Sequence, residues 1–393
     1  MTCKRKTALA SRRSLAGLLV TALIGSLALQ ISAISGSGAW TSDKGAVSAV
    51  TQSQNEHFKK RTTHAWTVDL AVDSAGNIYT ATKIPGHGKT DVNPEIGTQP
   101  SDVIGEKSDN ASSGVVHKLD PDGNLIWYFE VGGKGSQSVE LKSIAIDSSG
   151  NVYASGRFKG PMVVGGKKFT SKATKRNDLF ALKLDSDGDL KWIEAWGGVG
   201  EDDLTDIAVG PDGNLFLVGH LQRGGYLDPE SYEAWVNGAD LNNEYLGESR
   251  RTALGAFVLK LDPNGKMKFA KPWGVPSENN LGNTKALRVA IQADGTVISV
   301  ATFTKRIVVA TVEGSKEYIG DPKNGRQTGL LRAINGVTGQ YEWHKQFRTN
   351  VNKVDIVPRA LTLGPAGDIY VGGSFRHTQK DTKFSLKQLV YYL

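Results

Sequence analysis

Residues 144–158 read IAIDSSGNVYASGRF, and four near-copies of that phrase recur along the chain. They are LAVDSAGNIYTATKI (70–84), IAVGPDGNLFLVGHL (207–221), VAIQADGTVISVATF (289–303) and LTLGPAGDIYVGGSF (361–375). Their turn glycines, Gly76, Gly150, Gly213, Gly295 and Gly367, stand 63 to 82 residues apart. A phrase recurring at such intervals marks one supersecondary unit per copy. A unit that cannot bury its own faces must stack on its neighbours, so the repeat limits the chain to a modular architecture.

A second phrase alternates strictly with the first. VVHKLDPDGNLIWYFEVGG (115–133) matches FALKLDSDGDLKWIEAWGG (180–198) and FVLKLDPNGKMKFAKPWGV (257–275), and LLRAINGVTGQYEWHKQF (330–347) is a looser copy. Its turn glycines are Gly123, Gly188, Gly265 and Gly339. Each phrase is an apolar run, a D-x-x-G turn and a second apolar run. The Asp accepts hydrogen bonds from backbone N–H groups two residues on, and Gly takes the left-handed conformation that closes the loop. Val, Ile, Tyr and Trp on either side suit a pleated sheet. Each phrase is therefore a β-hairpin, and two in sequence make a four-stranded antiparallel sheet. Such sheets bury both faces by stacking radially. The expected fold is all-β, a β-propeller of about five four-stranded antiparallel blades. The tail KFSLKQLVYYL (383–393) starts like a fifth copy of the second phrase and stops before its turn. Either a strand from residues 46–62 completes the last blade, or the chain is an incomplete piece of a larger propeller.

The pattern D-x-x-G-N-[VI]-Y-x-x-G followed by F-x-x-K-[LD]-D-x-x-G-x-x-x-W resembles the SBBP-type propeller repeat of exported proteins. AINGVTGQYEW (333–343) is similar to the repeat of quinoprotein-type (PQQ-type) propellers. The resemblance spans about residues 66–375 and implies the fold. It implies little about activity, because propellers host many unrelated functions. Quinoprotein dehydrogenases use a vicinal cysteine pair, and the single cysteine here, Cys3, cannot supply one. No cofactor is expected.

The first 39 residues resemble a secretory leader: a basic start, an uncharged apolar run from Leu15 to about Ile34, then small residues suited to cleavage. The run is also long enough to span a bilayer, so an uncleaved anchor over residues 15–34 is the rival reading. Either way the rest of the chain is expected to be exported, secreted or held at the membrane only by that anchor. Residues 40–62 read as a polar linker, or as the closing strand, and 63–393 as the propeller. The net charge of +7 does not point to nucleic acid. Five of the 47 basic residues lie in the leader, where there is no acid, leaving 42 against 40 acidic residues. A nucleic-acid binder would keep a basic stripe on its folded part.

Positions that agree among the copies are scaffold, and positions that differ are where a specific activity is written. Both turns of each blade fall on one face, and the links between hairpins and between blades on the other. The links carry the length variation, which marks a binding face. At the strand ends facing those links one position reads Lys83, Arg157, His220, Thr302 and Ser374, different in every blade. The longest link, 221–255, sets Tyr232 and Trp235 beside Glu230 and Glu233, a combination suited to a sugar or a protein partner. Asn110-Ala111-Ser112 is a glycosylation sequon. Asp185-Ser186-Asp187-Gly188-Asp189 alternates acids as calcium loops do, but its sister copies read DPDGN and DPNGK, so the slot is a turn and no metal is expected. No metal-binding His spacing, nucleophile elbow or phosphate loop is present. The expected function is a non-catalytic binding module for a protein or glycan on the loop face. The alternative is an enzyme acting on a polysaccharide through carboxylates of the 221–255 link.

Overall fold

The computed structural model describes residues 66–84, 90–91, 103–104, 112–132, 135–173, 175–198, 200–222, 254–276, 283–304, 306–311, 314–319, 327–347, 354–364, 366–377 and 387–392. All lie in the second of the two units into which the chain divides, Val47–Leu393. Asn110, Glu230, Tyr232, Glu233 and Trp235, the leader and the 40–62 segment lie outside the described residues.

Every element among the described residues is a strand, and no helix there is long and apolar enough to cross a membrane. Blade one pairs β1 (Trp66–Val72) with β2 (Ile78–Ile84). Within its link, β3 (Thr90–Asp91) pairs with β4 (Val103–Ile104), and the blade continues with β5 (Ser113–Leu119) and β6 (Leu125–Val131) in the order β1-β2-β5-β6. Blade two is β7 (Ser138–Ile146), β8 (Val152–Lys159), β11 (Asn177–Leu184) and β12 (Leu190–Trp196). The hairpin β9 (Pro161–Val164) and β10 (Lys167–Thr170) sits in its link. Blade three is β13 (Asp203–Val209), β14 (Leu215–Gln222), β15 (Leu254–Leu261) and β16 (Met267–Pro276). Blade four is β17 (Thr284–Ile291), β18 (Val297–Thr304), β21 (Gln327–Ile334) and β22 (Tyr341–Gln346). Its link forms β19 (Arg306–Thr311) and β20 (Gly314–Ile319), which extend the outer edge of blade three through β16 to a six-stranded sheet. Blade five has three described strands, β23 (Val354–Leu363), β24 (Ile369–His377) and β25 (Lys387–Tyr392), the last formed by the tail.

The turns behave as their residues dictate. All nine repeat glycines have positive φ, between +70° and +91°. Asp73 Oδ1 accepts from the N–H groups of Ala75 and Asn77, and Oδ2 accepts from the Tyr79 hydroxyl. In blades three and four, where Gly210 and Gln292 replace that Asp, Asp212 and Asp294 two residues on accept instead, from the N–H groups of Asn214 and Thr296. Asp185 makes the same contacts as its sisters, from the N–H groups of Asp187 and Asp189.

The innermost strands pack in series, β1 on β7, β7 on β13, β13 on β17 and β17 on β23. Four buried apolar clusters each span consecutive blades. The Lys and Trp of the second phrase are inter-blade clamps. Lys118 and Trp127 of blade one both donate to the Ser186 carbonyl of blade two. Lys183 and Trp192 repeat this on Pro263 of blade three, and Lys260 donates to Gly336 of blade four. The ammonium groups of Lys118 and Lys183 also lie over the Tyr79 and Tyr153 rings, at 5.4 and 5.0 Å.

A charged arc on the loop face: the candidate functional site

One irregularity, present in all five innermost strands, decides what reaches the loop face. The register of each innermost strand against its neighbour slips by one residue, at Val68, Lys142, Thr205, Leu287 and Arg359. Such a bulge leaves one residue unpaired and exchanges the faces of everything beyond it. Regular pairing would set Leu141 opposite Arg157 and Leu204 opposite His220. The bulges set Glu140 and Asp203 there. By the same shift Trp66 stands opposite Lys83, Lys285 opposite Thr302 and Val357 opposite Ser374.

Two of the five positions expected from sequence, Lys83 and Arg157, are joined by charge, and a third, His220, lies beside them. Glu140 takes Lys83 of blade one, which is hydrogen-bonded to its Oε1. Its Oε2 accepts from Arg157 Nε at 3.0 Å and Nη2 at 2.9 Å, with Lys142 Nζ at 3.5 Å. Arg157 then bridges to blade three, its Nη1 lying 3.2 Å from Asp203 Oδ2. Asp203 is the cross-strand partner of His220, which is 8% exposed. Thr302 is buried opposite Lys285, whose charge acts on His220. Ser374 belongs to none of these ion pairs, and its hydroxyl meets Arg359 Nε at 3.5 Å.

The electrostatics follow from this arrangement. Burial opposes ionisation of Glu140, but the Lys83 hydrogen bond and the charges of Arg157, Lys83 and Lys142 outweigh it and hold the carboxyl at about 2. Burial raises Asp203, and Glu140 adds to the rise, while Lys142, Arg157 and Lys285 offset part of it. His220 is driven down to about 3 by burial and then by Lys285, Arg157 and Lys142, so it is neutral at physiological pH. Two buried atoms of this cluster, Asp203 Oδ1 and His220 Nδ1, have no hydrogen-bond partner among the described residues.

A second polar chain runs on the same strands, just past the bulges. Ser143 Oγ lies 2.7 Å from Asp69 Oδ2 and 3.0 Å from Asp206 Oδ1. Asp69 also accepts from the Ile144 N–H of blade two, and Asp206 from the Val289 N–H of blade four. These carboxylates stitch the innermost strands of successive blades. Burial above all raises Asp206, to about 6, with the Asp69 charge adding to the rise and Arg288 opposing it.

The sequence pattern did not single out Glu140, Asp203 and Trp66. Nothing in the residue pattern marks the bulges that bring them there.

No family model matches the chain. A stretch of 132 residues, 34% of the chain, is 28% identical to the regulatory protein FlaEY of Caulobacter vibrioides, and the match covers 13% of that protein. Among solved structures, a protein of unknown function from Dyadobacter fermentans is similar over 84% of this chain and 95% of its own, at 14% identity and a TM-score of 0.37. The quinohemoprotein alcohol dehydrogenase of Comamonas testosteroni is similar over 82% of this chain and 54% of its own, at 14% identity and a TM-score of 0.30. The blade architecture rests on the strand pairing of this chain itself.

Proposed function

We propose that this chain is an exported β-propeller of the SBBP repeat type that acts as a non-catalytic binding module, taking a protein or a glycan on its loop face. The observation that carries this reading is the ion-paired state of the mouth groups. General acid–base chemistry uses groups whose pKa lies near the working pH. Glu140 is held at about 2 by three cations, and His220 stays neutral down to about 3. Glu140 and Asp203 share the Arg157 guanidinium between them. Such a cluster is suited to holding fixed charges toward a ligand. Asp206, which titrates at about 6, accepts a backbone hydrogen bond between blades and serves the scaffold.

The test is thermal unfolding of the full chain against neutral and charged oligosaccharides and soluble proteins, with reducing ends assayed in parallel. A ligand at 100 times its Kd stabilises by about 2.7 kcal/mol. A raised midpoint without new reducing ends is the expected result. Release of new reducing ends from a polysaccharide would overturn the non-catalytic reading.

A further inference from the structure

We infer that the arc formed by Arg157, Asp203, His220, Lys142 and Trp66 is a binding site for an acidic sugar residue, one that carries a carboxylate beside free hydroxyls. The inference rests on the loop-face binding reading and gives that face its ligand class.

Three features of the site converge on this chemistry. The first is charge. Among the described residues Lys83, Lys142, Arg157 and Lys285 gather about Glu140, Asp203 and His220, with Glu201 also acting on Arg157, so four cations there face three acids while the chain outside its leader is nearly neutral. An anionic group entering there meets a small surplus of positive charge among these groups.

The second is unmet hydrogen bonding. Asp203 Oδ1 and His220 Nδ1 are buried without partners among the described residues, and an unsatisfied buried polar atom is costly. One is an acceptor, and the other is a donor when the neutral imidazole carries its proton on Nδ1. A hydroxyl suits either need, since it can donate to a carboxylate and accept from an imidazole N–H. A peptide carboxylate offers no such group, whereas a sugar acid sets hydroxyls beside its carboxylate.

The third is an apolar face. Trp66 occupies on blade one the position that Glu140 and Asp203 occupy on blades two and three, and it is 53% exposed. An exposed indole beside fixed charges presents a flat surface to the C–H face of a pyranose ring. Its cross-strand partner Lys83 reaches Glu140, which ties the aromatic residue to the charged arc.

The experiment is calorimetric titration of the full-length protein with a galacturonate oligosaccharide, its methyl ester, a neutral oligosaccharide and poly-glutamate. The free acid is expected to bind at least about tenfold tighter than the ester and to weaken with added salt. Trp66→Ala and Lys142→Gln are each expected to weaken it about fivefold, with the unfolding midpoint unchanged in the first and lowered slightly in the second, which loses one ion pair of Glu140. Trp66 is exposed and in no ion pair, so loss of binding in Trp66→Ala at an unchanged midpoint reads the site and not the fold. Equal binding of the ester, or of poly-glutamate, would overturn the acidic-sugar assignment. So would unchanged affinity in both variants. Binding of only a neutral sugar or a protein would sink this assignment and leave the loop-face reading standing. New reducing ends released from the bound uronate would remove the non-catalytic reading and leave the ligand class intact.

Discussion

The indole N–H of Trp127 in blade one donates to the carbonyl of Ser186 in blade two across 3.0 Å, and Trp192 repeats the bond to Pro263 of blade three. The same indoles pack edgewise or tilted on Tyr79 and Tyr153, with ring centroids 6.2 Å apart. One residue type thus fills the apolar gap between blades and satisfies the neighbour's turn. Trp127→Phe keeps most of the packing and loses the bond, so a cost of about 1 kcal/mol is expected in urea unfolding. Ile126→Ala, at a side chain 50% exposed, is expected to cost less than about 0.5 kcal/mol. Equal effects of the two would remove the clamp role.

Gly188 carries two demands at once. Its φ is +90°, and a Cβ built on it would lie 2.9 Å from Trp127 Cδ2. Gly166 has a φ of +77° with nothing within 4 Å of its Cβ position. Gly166→Ala therefore pays only for the left-handed backbone, about 1 kcal/mol. Gly188→Ala is expected to cost at least about 1 kcal/mol more, because Trp127 must move out of its seat. The difference between the two, read from unfolding midpoints at a common m-value, isolates the close approach. No difference would mean that the indole adjusts freely.

The strands and turns were legible because each blade repeats its own chemistry. Val, Ile and Tyr alternate about a turn whose Asp and Gly have defined geometric tasks; all nine copies keep the Gly and five keep the Asp. The B-strand positions Lys83, Arg157 and His220 were legible as polar breaks in apolar runs; the structure joins the first two through Glu140 and sets the third across from Asp203. Those two acids were not legible, because counting back from the turn with regular pairing lands on Leu141 and Leu204. A bulge at Lys142 or Thr205 costs little and leaves no compositional mark, yet it inverts the face of every residue before it. The hairpin β19–β20 was hidden for another reason: the strand it pairs with belongs to the preceding blade.

Ser143 has one hydroxyl hydrogen and two carboxylates, Asp69 and Asp206, within hydrogen-bond distance. Both contacts are satisfied only when one of the acids is protonated, which agrees with the raised Asp206. A carboxyl whose folded pKa is raised contributes stability below its unfolded pKa and loses it as pH rises through the folded value, here about 6. Asp206→Asn reproduces the protonated form: its carbonyl accepts from Val289 N–H and its amide donates to Ser143. The variant is expected to match wild type near pH 4 and to exceed it above pH 6 by on the order of 2 kcal/mol. A variant less stable than wild type at every pH would show that the ionised carboxylate is required.

Glu140 gives the opposite sign. Its carboxyl is held at about 2 against an ordinary 4.5, so its contribution is complete above pH 4.5 and disappears as the pH falls through about 2. Burial alone would have raised this group, so the lowering measures how strongly Lys83, Arg157 and Lys142 favour its charge. Glu140→Gln removes that charge and leaves three cations facing one another. At pH 7 the variant is expected to be less stable by about 2–3 kcal/mol, the deficit shrinking steadily below pH 4.5. The paired unfolding curves, taken at half-unit steps of pH, read this directly. A deficit independent of pH would assign the loss to side-chain packing and not to the ion pairs of the arc.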